Sequence, residues 1–495
     1  MSSALVKNVV IYGLGDAIIR ALGVVTVPIF TRILSPTDYG VLSVLVALTA
    51  VVGLINDAGM VSAAQRQYFD EKGDSGKRQA TATAVWFSLS LGIILTALGI
   101  LLAKPLAGWL LGNSELDELI ILAFLSSGLG VIVQLVRSFF RLTFTPWPFM
   151  VSTVLTGILS LGVAAWLVFQ GQGVMGYFGG LLIGTAFGFF ITLILGRRFL
   201  AFTYDRERLT KMLRYGLPLV PAAAALFVVD LSDRFLLARL RDLSEVGIYS
   251  VGVSVASMMT LFIGAFAQAW APFALSKHAE MPKESPFLFA RFLLYVLVFF
   301  SALALLITLF SQEILQLLTT AAFFDAVKVV PILALGYVVF ATTQLTTLGM
   351  SIARRTSVIA IGALLAALVN IGGNLLLVPN FGMLGAAWAT LAAYLVLTIT
   401  YGAVSSRYLR CPWPWGRIGR LAPVVALGFG LTFVLPDGVG LVTAAWKIAY
   451  FGAFAGLVLL SGAVDREELK ILRQIIAVDL KFWKRTRSVP RGAVD

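Results

Sequence analysis

The chain holds one cysteine and one histidine among 495 residues. A lone thiol, Cys411, excludes an intramolecular disulfide, and a lone imidazole, His278, set in a short charged connection, excludes a histidine metal cluster. No glycine loop followed by lysine offers a phosphate cradle, and no carboxylate pair stands outside the apolar runs. Neither an enzyme nor a cofactor or metal is therefore expected. A polysaccharide polymerase or glycosyltransferase would also need a sizeable extramembrane loop, whereas the longest internal connection, 196–215, is about twenty residues. Charge is scarce as well, at 13% of the chain, about half the share of an ordinary globular domain.

What fills the chain instead is apolar: 59% of residues are hydrophobic and the mean hydropathy is +0.93. Runs such as 40–64 and 287–310 are apolar on every face, which suits helices in lipid and not the ten-residue alternation of a barrel strand. The expected fold class is an all-α polytopic membrane protein with about fourteen transmembrane helices: 8–33, 40–64, 80–103, 118–140, 147–169, 173–195, 217–240, 247–275, 287–310, 328–350, 357–378, 383–405, 421–436 and 441–461. The first run is too long for a signal peptide and meets Arg32 and Ser35-Pro36 rather than a cleavage site, so it is expected to remain as the first span.

The net charge of +13 lies in short loops, where lysine and arginine set membrane orientation. With fourteen spans, one side keeps only Arg32, Lys104, Arg239, Arg241 and Lys328, while the other holds the remaining loop cations and a basic tail. Both termini are therefore expected in the cytoplasm, and nucleic acid is not an expected partner. Loops 65–79 and 197–214 are charged faces toward anionic lipid, and the tail from Asp465 begins as an interfacial helix.

The chain also repeats itself. At a shift of about 207 residues, Arg32, Ile33, Asp38, Gly40, Val41, Ser43 and Val44 fall on Arg239, Leu240, Glu245, Gly247, Ile248, Ser250 and Val251; at about 209, Gly173-Val174-Met175-Gly176 falls on Gly382-Met383-Leu384-Gly385. Six helices separate each pair, so the halves share one orientation and are parallel repeats about an axis along the membrane normal. Residues 1–205 and 206–410 are expected to form two six-helix lobes around a central cavity, with 411–495 adding two C-terminal helices and a basic cytoplasmic tail.

Three stretches carry a family resemblance: Pro28-Ile29-Phe30-Thr31-Arg32-Ile33-Leu34-Ser35-Pro36-Thr37-Asp38-Tyr39-Gly40; Asp233-Arg234-Phe235 followed by Val246-Gly247-Ile248-Tyr249-Ser250; and Asn370 with Asn374 before Pro379-Asn380-Phe381-Gly382-Met383-Leu384-Gly385-Ala386-Ala387. In this order they resemble the polysaccharide transport family of the multidrug/oligosaccharidyl-lipid/polysaccharide exporter superfamily, the Wzx-type oligosaccharide flippases, from about Lys7 to about Ser405. The resemblance implies an inner-membrane protein that moves undecaprenyl-diphosphate-linked oligosaccharide repeat units to the outer leaflet by alternating access, for O-antigen, capsule or exopolysaccharide assembly. It also implies a polymerase and a chain-length regulator as partners. A peptidoglycan precursor (lipid II) flippase and an ion-coupled multidrug or cation exporter of the same superfamily are the alternatives.

Flipping such a lipid takes a diphosphate through a layer where bare charge is costly. A mid-bilayer arginine costs roughly 2.5 to 3.5 kcal/mol, yet Arg20 sits near the middle of the first span, and its planar fork matches phosphate oxygens. Tyr12, Asp16, Arg20 and Gly23 line one helical face. Asp16 and Arg20 are i,i+4 neighbours and could neutralise each other, or Arg20 could exchange that partner for phosphate. In the second half Arg234 is the corresponding cation, placed either in a local pair with Asp230 or facing the cavity opposite Arg20. Asp16, Asp57, Asp230 and Asp233 are candidates for coupling to a proton or sodium gradient, with Asp57 alternatively a packed group beside Asn56. Asn370 and Asn374 share a face and could bind sugar hydroxyls or bond between helices; Gln134, Gln268 and Gln344 read likewise. Arg137 and Lys447 lie near helix ends and are expected to snorkel.

Overall fold

The computed structural model describes residues 25–353, 355–433 and 438–463, together with Gly15, Ile18, Leu22 and Gly23. Tyr12, Asp16, Arg20 and the tail beyond 463 lie outside the described residues. Those described form helices and connections, with no strand among them. Among the described residues, ten helical stretches are long and apolar enough to cross a membrane, so the protein is a multi-pass membrane protein. Two of the ten, Pro146–Leu195 and Val358–Ser405, are hairpins; an opening helix precedes them and a sixteen-residue helix, Trp415–Gly430, comes late. This agrees with the expected architecture and does not by itself establish the count of fourteen.

After the opening helix, described over 25–30, come α1 (Pro36–Asp57), α2 (Met60–Asp70), α3 (Asp74–Leu101), α4 (Ala103–Leu111), α5 (Asp117–Leu142), α6 (Pro146–Leu167), α7 (Gly173–Leu195) and α8 (Arg206–Gly216). The second half runs α9 (Val220–Leu240), α10 (Leu243–Ala256), α11 (Met259–Glu280), α12 (Ser285–Leu309), α13 (Ser311–Leu318), α14 (Val330–Thr346), α15 (Leu348–Ile352) and α16 (Thr356–Ser405), followed by α17 (Trp415–Gly430) and α18 (Leu441–Leu460). One end of the bundle gathers Arg66, Arg78, Arg198, Lys277 and Arg355, and is called here the basic end.

At the opposite end the repeat becomes physical. Helix α1 starts with Ser35 as cap, its hydroxyl accepting from the Asp38 amide at 3.2 Å while the Asp38 carboxylate accepts from the Ser35 amide at 3.2 Å. Helix α10 starts at the matching place, where the Asp242 carboxylate accepts from the Glu245 amide at 2.8 Å. Each cap is worth about 1 kcal/mol and sets where its helix begins. The two helices start at the same end, run the same way and touch backbone to backbone. A methyl on Gly40 would stand 1.7 Å from the carbonyl oxygen of Leu243, and one on Gly247 would stand 2.0 Å from that of Pro36. Pro36 and Leu243 differ by 207, as do Gly40 and Gly247, so each contact is the other's image under a two-fold axis between the helices.

The hairpins repeat too. The turn into α7 passes through Gly173 at φ 54°, ψ −135°, and α16 folds back at Gly382 with φ 53°, ψ −133°. That region is open to glycine and strained for any other residue. The same turn 209 residues apart is the sequence echo seen as backbone.

The linker helix α8 belongs mechanically to the first half. Its Arg208 donates to both carboxylate oxygens of Glu71, at 2.8 and 3.1 Å, to Gln79 at 2.9 Å and to Asp205. The Arg208 hydrogen bonds hold the Glu71 carboxyl below the usual carboxylate range. At the foot of α8, Gly216 packs on Gly59, where a methyl on Gly59 would stand 2.3 Å from the Gly216 carbonyl oxygen. Ala58 and Gly59 are both left-handed there, which breaks α1 from α2.

Candidate functional site

The densest polar cluster inside the spans lies between α9 and the two arms of α16. The Arg234 Nη1 donates to the Asp230 carbonyl oxygen at 2.7 Å and reaches Asp233 Oδ1 at 3.4 Å. The Tyr249 hydroxyl donates to Asp233 Oδ2, and the Tyr394 hydroxyl donates to Asp230 Oδ1 at 2.8 Å. The Asp233 side chain is 3% exposed and that of Arg234 14%. Removing one partner of such a buried pair leaves the other uncompensated, at roughly 3–5 kcal/mol.

Beside this pair, the Ser232 hydroxyl donates to Asn370 Oδ1 at 2.7 Å, and Asn370 Nδ2 donates to the Thr390 hydroxyl at 3.4 Å. Asn374 Nδ2 donates to the Asn370 carbonyl oxygen at 2.9 Å and to its Oδ1 at 3.2 Å. Both asparagines are fully buried. Asn370 bonds to a neighbouring helix and to the other arm of α16, whereas the bonds of Asn374 stay within its own arm, and neither side chain is open to a large ligand in this state. Asn374 Oδ1 is a buried acceptor without a partner, an oxygen available to a small hard cation or a proton donor.

Asp230, in contrast, is exposed although it sits mid-helix. Its repeat counterpart Gly23 is exposed too, with open space where a side chain would stand. Nearby, Gly23 and Val27 of the opening helix, Ser254 to Leu261 of α10 and α11, and Leu318 surround a hollow of about 210 Å³. Space therefore lies between residues of the two halves, with serine and threonine hydroxyls on one wall. That space is closed toward the Gly40–Gly247 end. There the Thr31 hydroxyl donates to the Leu318 carbonyl at 3.0 Å, Arg32 to the Leu317 carbonyl at 3.3 Å, and Glu245 accepts from the Met383 amide at 2.7 Å.

The remaining expected residues fall as follows. Asp57 Oδ1 accepts from the Val61 amide at 3.2 Å and so caps α2 after the break, while Asn56 beside it is fully buried with neither amide atom partnered. Tyr12, Asp16 and Arg20 lie outside the described residues. Arg137 does not snorkel: its guanidinium turns inward to the Ser152 carbonyl at 2.5 Å, the Thr156 hydroxyl at 2.6 Å and the Ser152 hydroxyl at 3.2 Å. Lys447 is 8% exposed and meets both Glu313 oxygens at 2.6 and 2.8 Å, pinning α18 to α13. A helix-end position in the sequence signals an interface; only the facing hydroxyls and carboxylate reveal an inward partner. The bonds of Tyr249 and Tyr394 to the two aspartates have no sequence signal, because a tyrosine in an apolar run suits a core equally well.

A sequence profile for a family described as "Polysaccharide biosynthesis protein" matches residues 5–277. The succinoglycan biosynthesis transport protein ExoT of Rhizobium meliloti (strain 1021) is 26% identical over 241 residues, 47% of this chain. That alignment spans 46% of the relative's own length. Among solved structures, the lipid II flippase MurJ in an inward closed conformation superposes with a TM-score of 0.73 at 15% identity, over 90% of this chain and 98% of that one. A multidrug resistance MATE family transporter of the MOP superfamily, in its inward-facing conformation, gives 0.64 at 15% identity over 81% and 94%. At such identities the structural likeness concerns the fold.

Proposed function

The chain belongs to the polysaccharide biosynthesis protein family, and from that premise we propose that it is a flippase for undecaprenyl-diphosphate-linked oligosaccharide repeat units, working by alternating access in the bacterial inner membrane. The observation that carries the reading is the two-fold contact of Gly40 with Leu243 and of Gly247 with Pro36, a seal made by repeat-related helices at one end of the space between the halves. Both termini are cytoplasmic in this reading, because the basic end gathers the loop cations. The sealed end then faces outward and the structure is a state open to the cytoplasm. Of the expected lobes 1–205 and 206–410, the first also takes α8, residues 206–216, through the Arg208 clamp, so that 1–216 moves against 217–410, and α18 rides on the second lobe through Lys447 and Glu313.

Arg20 and Arg234, one from each lobe, are the proposed diphosphate contacts, with Tyr12, Asn370 and Asn374 nearest to sugars as the lobes part. Among the described residues, Arg234 commits only Nη1 of its side chain, which leaves Nη2 and Nε for an incoming phosphate. Asp230 and Asp233 are the proposed coupling groups for a proton or sodium gradient, and Asp16 and Asp57 the secondary candidates. Export products would pass to a polymerase and a chain-length regulator.

The test is a strain lacking this protein, complemented with wild type or with Arg20→Ala and Arg234→Ala at matched membrane levels. Lipid-linked repeat units should accumulate on the cytoplasmic face with each variant, with export reduced at least tenfold, which corresponds to about 1.4 kcal/mol of lost binding. Full export by the double variant would end the phosphate assignment. Normal repeat-unit export in the deletion strain, with accumulation of peptidoglycan precursor or drug sensitivity instead, would replace the substrate.

A further inference from the structure

At the basic end, on the first half alone, Tyr68, Asp74, Lys77, Arg78, Thr143, Arg198 and Phe199 enclose a hollow of about 390 Å³. Three cations meet there from two separate segments. Some cations of this end are matched by acids: Arg208 by Glu71 and Asp205, Lys211 by Glu207, Arg66 by Asp70 and Lys277 by Glu280; what sets the other three apart is that they converge on one hollow. Among the described residues, Lys77, Arg78 and Arg198 have no carboxylate within ion-pair distance.

They are nonetheless held in place. Arg198 Nη2 donates to the Thr143 hydroxyl at 2.7 Å and the Thr145 hydroxyl at 2.9 Å, and its guanidinium lies 4.6 Å from the centre of the Phe199 ring. Arg78 Nε donates to the Leu200 carbonyl at 2.8 Å, and Lys77 sits 5.1 Å from the Tyr68 ring. The two threonines point the same way because Phe144 between them is left-handed, φ 52°, a conformation that disfavours a bulky residue. Phe144 is also 62% exposed. An apolar ring held out in a strained turn, next to Trp147, which is likewise exposed, is what a membrane interface stabilises.

We propose that this hollow binds the headgroup phosphate of an anionic glycerophospholipid from the surrounding leaflet. Three fixed cations outweigh the one lining carboxylate, Asp74, and guanidinium groups suit phosphate oxygens, while the exposed Phe144 and Trp147 beside them offer apolar contact to the rest of the lipid. Every lining residue belongs to the first half, so a cargo passing between the halves does not cross the site. The lipid is a resident of one lobe, and its binding stands whether or not the proposed cargo is correct.

The experiment is native mass spectrometry and thermal unfolding of the full-length protein in nanodiscs of phosphatidylcholine, with or without added phosphatidylglycerol. Wild type should retain phosphatidylglycerol and unfold at higher temperature in its presence. Arg198→Gln and Lys77→Gln should each weaken retention by about fivefold and together remove the thermal gain, while Arg66→Gln, at a cation already paired, should change neither. Lys77→Gln gives up only the contact with the Tyr68 ring at the protein surface and serves as the arm least exposed to misfolding. Equal retention and equal stabilisation in the double variant would overturn the proposal. So would a double variant that keeps phosphatidylglycerol and loses undecaprenyl diphosphate supplied in phosphatidylcholine discs, since the hollow would then be a cargo site.

Discussion

Between α9 and α16 the second half hides Asp233, Asn370 and Asn374 and lodges Asp230 and Arg234 at their edge. At the positions that precede these by 207 or 209 residues, the first half carries Thr26, Leu161, Ala165, Gly23 and Val27. Tyr249 and Tyr394, which bond the two aspartates, are matched by Leu42 and Thr185. The backbone is shared, down to the caps of α1 and α10 and the turns at Gly173 and Gly382, while the Asp–Arg–Asn cluster has no counterpart at the matching described positions of the first half, whose own interior polar groups, Asn56 and Arg137, stand elsewhere. A duplicated scaffold conserves what closes it, because backbone contact at the axis needs glycine on both helices. Interior chemistry is free to diverge, since an apolar lobe folds as well without a buried ion pair.

The largest effect should come from breaking what the halves share. Gly40→Leu and Gly247→Leu each force a side chain into a carbonyl of the other half, and each should lower stability by on the order of 4–5 kcal/mol, read as a fall in the unfolding temperature in detergent. Similar losses for the two are required, and a mild Gly247→Leu beside a severe Gly40→Leu would refute the two-fold seal.

Next is what the halves do not share. Asp233→Leu removes the carboxylate that faces Arg234 and accepts from the Tyr249 hydroxyl and should cost roughly 3–4 kcal/mol, whereas Thr26→Val at the matching place should stay within about 0.5 kcal/mol. Thermal unfolding of both variants checks the contrast. Any dependence of export on the ion gradient should vanish only in the first.

The smallest effect concerns the clamp that assigns α8 to the first half. Because Arg208 lowers the Glu71 carboxyl in the folded protein, that pair contributes fully above the ordinary glutamate pKa of about 4.3. The contribution is lost as pH falls through the lower folded value. Arg208→Gln should cost about 1 kcal/mol at neutral pH and should flatten the acid side of the unfolding-temperature profile. An unchanged profile would free α8 from the first half.

Much of the fold was legible in residues. Apolar runs longer than a bilayer's thickness leave only helices as a way to satisfy the backbone, and the matched Arg, acid and Gly of the two hairpins exposed the repeat. The site was legible in part: Asp230, Asp233 and Arg234 stand out as charge where charge is costly, and the structure bonds them within one cluster. Arg137 and Lys447 were misread as interface anchors, because spacing from a helix end says nothing about which neighbour faces a side chain. Tyr249 falls within a family-like stretch but, like Tyr394, shows no role in the sequence, since a hydroxyl on an aromatic ring suits a core as well as an acid.

By itself, then, the sequence determined the helices, their approximate ends, the duplication and the sidedness of charge, all of which follow from local transfer energy and periodicity. Only the tertiary structure decided which acids meet which cations, that Gly40 and Gly247 close one end against each other, and that Lys77, Arg78 and Arg198 surround a common hollow without an ion pair to any of the three among the described residues. Such pairings join residues far apart in the chain, and their energies depend on distances of a few ångströms that no local pattern encodes.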